Sequence, residues 1–213
     1  WLAGHLAIAR KLPAYRRSSG LDTLADFPII SRAHLAADVA AYVPLDADFS
    51  RLIHGSSSGS TGAALMIPDD IEEVARSFHL LVDLVRAEGV DWQPAPNRMA
   101  LVNLVLQHQA FTYASVISGF EQATRARINL AGPEWPYPGA RADFLAAQNP
   151  QVITGDPSTL AELLQPDLAG VVRPLALFSG AMALSAPLRA GLIEAFGCPV
   201  FDLYGLHETR PIA

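Results

Sequence analysis

From residue 99 to residue 203 the chain alternates short apolar, strand-like runs with longer segments of helical spacing, and this alternation limits the fold more than any other feature. Strands are expected at 99–106, 125–130, 152–154, 174–178 and 200–203. Helices are expected at 111–120, 143–148, 158–165 and 186–196. A strand–helix alternation of this kind predicts an α/β fold: a mixed, partly parallel sheet flanked by helices. In open sheets of that class ligands collect at the carboxyl ends of the strands.

The first fifty residues read differently, as a helical lead-in. An amphipathic helix covers residues 1–12, a turn-rich stretch follows, and a short helix opens at the N-capping Ser31. The remainder, 51–213, is assigned to the α/β domain. Its first part holds two short apolar pieces around a Ser/Gly loop. A long helix then starts at Asp69-Asp70 and ends at Gly89, a natural C-cap.

Charge and composition exclude several classes. The formal charge of −6 argues against a nucleic-acid surface, which needs clustered Lys and Arg. The pairs Arg16–Arg17 and Arg125/Arg127 read as solvated surface. No apolar run reaches the roughly 18 residues of a membrane span, and the N-terminal helix lacks the order of a signal peptide. One cysteine, Cys198, excludes an internal disulfide and a cysteine-based zinc site; it reads as a buried thiol in a cytoplasmic protein.

The loop Gly55-Ser56-Ser57-Ser58-Gly59-Ser60-Thr61-Gly62 carries the most chemistry. Its glycines permit backbone angles that aim successive N–H groups at an anion, and its hydroxyls can donate to phosphate oxygens. A flexible linker is the plain alternative. A hydrolase is another, because Ser57 fits G-x-S-x-G with Asp202 and His207 downstream. That motif requires a helix directly after the turn, whereas residues 64–68 read as a strand. No Gly-Lys-Ser/Thr follows, so the loop is not a Walker P-loop.

Ser58-Gly59-Ser60-Thr61-Gly62 resembles the signature of the adenylate-forming superfamily, which includes acyl-CoA synthetases, luciferases and peptide-synthetase adenylation domains. Ala64 and Leu65 stand where that pattern often has Pro and Lys. A second motif, Phe201-Asp202-Leu203-Tyr204-Gly205-Leu206-His207-Glu208, resembles the Tyr-Gly-x-Ser/Thr-Glu segment, most closely in its phenylacetate–CoA ligase form. Ser179-Gly180-Ala181-Met182 is similar to the segment lining the adenine pocket, and Phe27-Pro28-Ile29-Ile30-Ser31 to that branch's lead-in.

The resemblance implies ATP-dependent activation of a small carboxylic acid, followed by transfer to coenzyme A or a carrier protein. The attacking carboxylate is already ionised, so positioning and charge neutralisation carry the catalysis. By resemblance Ser58, Gly59, Ser60, Thr61 and Gly62 hold the phosphates. Glu208 and Thr61 hold Mg²⁺, whose preference for oxygen suits them. Gly180, Ala181 and Met182 border adenine, Tyr204 stacks on it, and Asp202 and Gly205 complete the nucleotide site. His207 stands where a hydroxyl usually meets the α-phosphate. His108, Phe111 and Tyr113 occupy the acyl-pocket region, which favours an aromatic or hydrophobic acid.

Thr154-Gly155-Asp156 looks like the family's ribose-binding triplet but precedes the tyrosine motif. It is better read as a strand end and a helix cap. The ribose aspartate, hinge and C-terminal lid are expected beyond Ala213, making the chain an incomplete N-terminal portion, impaired alone. A non-catalytic nucleotide-binding relative is the alternative, and a homodimer stays open.

Overall fold

The computed structural model describes residues 2–56, 65–96, 98–108, 110, 112–206 and 210–211. These group into two compact units, Trp1–Glu73 and Val74–Ala213.

The first unit opens with helix α1 (Leu2–Ala9), which buries Leu6. Helix α2 (Arg32–Ala37) begins after Ser31, whose N–H donates to His34 Nδ1 at 3.0 Å. The capping signal at Ser31 thus has a local physical basis. Strands β1 (Leu52–Ser56) and β2 (Met66–Asp70) pair antiparallel, with Leu52 opposite Asp70 and Ser56 opposite Met66. The long helix α3 (Ile71–Ala87) starts two residues after Asp69, later than the sequence suggests. Asp70 ends β2 and accepts from Glu72 N–H at 2.7 Å, so its carboxylate caps the helix from outside.

The second unit is built on a six-stranded sheet. Its strands are β3 (Met99–Val105), β4 (Tyr113–Ile117), β5 (Ala123–Asn129), β6 (Val152–Gly155), β7 (Ala176–Ser179) and β8 (Val200–Asp202). The spatial order is β4-β5-β3-β6-β7-β8. All neighbours are parallel except β4 and β5. This is the mixed, partly parallel sheet expected from the alternation.

Helices α4 (Ala140–Gln148), α5 (Pro157–Glu162) and α6 (Ala186–Phe196) follow the expected positions. They contribute Leu145, Leu160 and Leu192 to a buried cluster with Val102, Ile128, Ile153 and Leu177. On the opposite face α3 lays Phe78, Leu81, Val82 and Val85 over Leu101, Val152, Ala176 and Phe178. Alternating strand residues serve the two faces, as the pleat requires. Asp156 accepts from Thr159 N–H at 2.9 Å and caps α5, with Pro157 in its first turn. Thr154-Gly155-Asp156 is therefore a strand end and a cap.

The expected helix at 111–120 is corrected to a strand. Tyr113–Ile117 forms the antiparallel edge strand β4, joined to β5 by a turn with Glu121 and Gln122 at φ 52° and 57°. Five residues, 118–122, separate the paired Ile117 and Ala123, and positive φ at Glu121 and Gln122 reverses the chain at the end of this loop. Phe120 C=O accepts from Ala123 N–H at 2.9 Å to close the turn. Pairing with β5, together with β-branched Val116 and Ile117, outweighs the local helical pattern.

Candidate functional site at the carboxyl edge of the sheet

The register aligns one row of residues across all six strands. Tyr113 faces Arg127, Arg127 pairs with Asn103, and Asn103 with Thr154; Thr154 pairs with Phe178, and Phe178 with Phe201. Cross-strand partners point to the same face, and Phe178 assigns the row to the face packed by α3. Half the row is polar and half aromatic. Asn103 Nδ2 donates to Thr154 Oγ1 at 3.0 Å, and the Phe178 and Phe201 rings stack with centroids 4.6 Å apart.

Just beyond that row lie the residues expected to border adenine. Gly180 N–H donates to Gly155 C=O at 3.1 Å, and Leu203 N–H donates to Ser179 C=O at 2.8 Å. Asp202 Oδ2 accepts from Leu184 N–H at 3.3 Å, tying the end of β8 to the turn after β7. Ala181 takes the left-handed conformation at φ 66°, which costs a non-glycine residue about 1–2 kcal/mol. A Cβ on Gly180 would sit 3.7 Å from Leu203 C=O, so the two chain ends run close together. Tyr204 is 64% exposed and Met182 52%, so neither is a core residue. Gly205 lies in β9 (Gly205–Leu206), which pairs with β10 (Arg210–Pro211).

Gly180, Ala181, Met182, Asp202, Tyr204 and Gly205 thus share one end of the sheet. Tyr113 and His108 lie along the same edge, at the β4 and β3 side. His108 is exposed rather than a satisfied core histidine. Its approach is fixed by Asn129, which is 1% exposed. Asn129 Oδ1 accepts from Gln107 N–H at 3.1 Å and Nδ2 donates to Gln107 C=O at 2.8 Å. Ser57, Ser58, Gly59, Ser60, Thr61, Gly62, Phe111, His207 and Glu208 lie outside the described residues. The strands flanking the Ser/Gly loop pair with each other as a hairpin. The strand-to-helix turn of a serine-hydrolase elbow is therefore absent among the described residues.

A mixed sheet of this class has counterparts among solved structures. An open form of 2-hydroxyisobutyryl-CoA ligase, in complex with 2-HIB-AMP and CoA, superposes with a TM-score of 0.59. The match covers 96% of this chain and 48% of that one, at 16% identity. The thioesterification-state structure of the ligase, again with 2-HIB-AMP and CoA, gives a TM-score of 0.57 at 19% identity, over 95% of this chain and 46% of that one. The chain has the fold of these acyl-CoA ligases. It spans about half the length of the ligase chains. No family model and no curated protein matches it.

The polar half of the row holds a feature that the sequence suggested only as charge. Arg125 and Arg127 were expected as solvated surface, yet both are partly buried with Nε atoms shielded from solvent and lacking a hydrogen-bond partner. The signal was present in Thr124-Arg125-Ala126-Arg127-Ile128: two arginines two residues apart share one face of a strand.

The first unit has its own cavities. One of about 670 Å³ is lined by Lys11, Tyr42, Asp46, Asp48, Arg51 and Asp70 among others. Its arginine is committed: Arg51 pairs with Asp70 and Glu72, each at 3.2 Å. The hydrogen bond from Arg51 holds the Asp70 carboxyl below its usual range. A smaller apolar cavity of about 370 Å³ lies beside β1 and β2, lined by residues including Phe49, His54 and Met66. The sequence reading singled out neither cavity. Among the described residues no cluster of three or more His, Cys, Asp or Glu side chains could hold a metal. Nor is any described helix long and apolar enough to cross a membrane.

Proposed function

We propose that this chain carries the nucleotide-binding part of an enzyme that activates a carboxylic acid with ATP, giving an acyl-adenylate and then a thioester. The observation that carries the reading is the joint one: an acyl-CoA ligase fold, with Gly180, Ala181 and Tyr204 gathered where the sheet's strands end. The residues fit an adenine ring. Tyr204 offers an exposed aromatic face, and the turn at Gly180 brings backbone close to Leu203.

In this reading Tyr204 stacks on the base while Gly180, Ala181 and Met182 border it. Asp202 holds the turn through Leu184 N–H. The assignments of Ser58, Gly59, Ser60, Thr61 and Gly62 to the phosphates, of Glu208 and Thr61 to Mg²⁺, and of His207 to the α-phosphate rest on the motif resemblance. The acid's carboxylate attacks the α-phosphorus and pyrophosphate leaves, so no base is needed. The site's work is positioning and neutralisation. Coenzyme A or a carrier protein then takes the acyl group.

The test is nucleotide affinity by isothermal titration, then carboxylate-dependent ATP–pyrophosphate exchange with a panel of acids. Loss of base stacking in Tyr204→Ala should weaken ATP binding roughly 10- to 100-fold. Equal affinity in wild type and variant would sink the adenine assignment. Binding without exchange for any acid would favour a non-catalytic relative.

A further inference from the structure

Arg125 and Arg127 lie two residues apart on β5 and project onto the face of the sheet that α3 covers only in part. Arg125 sits over the Phe78 ring, its guanidinium carbon 5.6 Å from the centroid, which holds it in place. Arg127 is one row nearer the carboxyl edge, between Tyr113 on β4 and Asn103 on β3. The helix residues buried against this face come from Phe78, Leu81, Val82 and Val85. They pack on rows that include Leu101, Val152 and Ala176. In the upper row Tyr113 is 42% exposed and Asn103 and Thr154 are partly exposed.

The chain has 21 acidic residues against 15 Lys and Arg, so partners are abundant. Arg51 and Arg141 each hold two carboxylates. Among the described residues no carboxylate pairs with Arg125 or Arg127, and both Nε atoms are buried without an acceptor. An Nε–H shut off from water and given no acceptor is an unsatisfied donor, while each arginine as a whole stays partly exposed to a ligand. The guanidinium's planar donor fork suits a carboxylate or a phosphate. Tyr113 and Asn103 flank it with neutral groups that add no competing charge.

We propose that Arg125 and Arg127 form an anion site that receives a terminal carboxylate or phosphate of a small molecule lying across this face. The strand order places β5 three strand spacings from β7, about 14 Å from the turn that carries Gly180. That places it clear of the adenine-side turn, on the scale of the far end of a molecule whose carboxylate reacts in between. The anion then belongs to a second acidic group on the substrate acid, or to a phosphate on the acceptor; this attribution rests on the ligase reading.

The experiment follows the Arg Nε–Hε signals by nuclear magnetic resonance and measures affinity by calorimetry, without ATP. Glutarate is compared with valerate, and adenosine 3′,5′-bisphosphate with AMP. One added charge-assisted pair should make the diacid bind about tenfold more tightly than the monoacid, with shifts at both arginines. The advantage should vanish in Arg127→Gln, survive in part in Arg127→Lys, and shrink with added salt. A preference confined to the bisphosphate assigns the site to the acceptor; a preference for glutarate assigns it to the acid. Equal binding within both pairs, with unmoved arginine signals, overturns the site. The wild-type comparison stands even if a variant fails to fold. Since ATP is absent, failure of adenylation leaves the result intact. Loss of pyrophosphate exchange with monoacids in Arg127→Gln would put the arginine at the reacting carboxylate and overturn the assignment to a far-end anion.

Discussion

Asn129 offers a severe test of how the edge of the sheet is organised. Its side chain makes three hydrogen bonds, two with the backbone of Gln107 and one accepted from Ala131 N–H at 3.2 Å. Together they fix the chain as it leaves β3 toward His108 and as it leaves β5 toward α4. At about 1 kcal/mol net for each bond, Asn129→Ala should cost about 3 kcal/mol. Gln107 is exposed and can recover water, which lowers the expected loss toward about 1.5 kcal/mol. Asn129→Leu keeps the volume and isolates the polar contribution. Urea unfolding followed by tryptophan fluorescence reads the loss directly. Trp92 is fully buried in this unit, and Trp135 Nε1–H donates to Asn129 C=O at 2.9 Å. Hydrogen exchange at the Gln107 and Ala131 amides should accelerate in both variants. A loss below about 0.5 kcal/mol in both, with unchanged amide protection, would refute the reasoning, since surface substitutions alone give changes of that size.

Gly119 faces α3 so closely that an added Cβ would lie 2.7 Å from Ala75 Cβ; Gly119→Ala should cost about 1–3 kcal/mol, and Ala75→Gly should restore part of it in a double-mutant cycle. Arg141 grips Asp167 at 2.8 Å and Glu162 at 3.3 Å, and its hydrogen bond holds the Asp167 carboxyl below its usual range. Asp70 is lowered in the same way by Arg51. A depressed folded value means stability present above the unfolded carboxylate value, near 4, and lost as pH falls through the folded one. Melting temperature should therefore hold between pH 7 and 5 and drop below about pH 4, with a shallower drop in Arg141→Met. Burial pushes the Cys198 thiol up to about 11, so maleimide at pH 8 should label it far more slowly in the native protein than in urea. Equal labelling rates would contradict that.

The sequence disclosed the fold wherever punctuation and period agreed. Helix α6 runs between Ser185, which accepts from Leu188 N–H, and Gly197 at φ 61°, and both signals are visible in the letters. Asp156-Pro157 announces α5 in the same manner. The hairpin of β4 and β5 stayed hidden because Glu121 and Gln122 hold positive φ without the Asn or Gly that usually marks such a turn. Motif spacing singled out Gly180, Asp202 and Tyr204, which the structure gathers at one end of the sheet. The arginine pair was legible only as charge. Its meaning depends on register: the sheet carries Arg127 beside Asn103, a residue 24 positions away in sequence.

The free side of β4 has a bearing on how the protein behaves in bulk. Tyr113-Ala114-Ser115-Val116-Ile117 contains no charge and no proline, and Val116 is 58% exposed. Among the described residues β4 ends the sheet, paired with β5 alone, so its outer backbone groups form a template for another extended segment. Concentrated stocks will grow turbid through sheet extension while each molecule keeps its native helices. A single lysine in place of Val116 would act as a gatekeeper, lengthening shelf life without touching the end of the sheet that carries Gly180 and Tyr204.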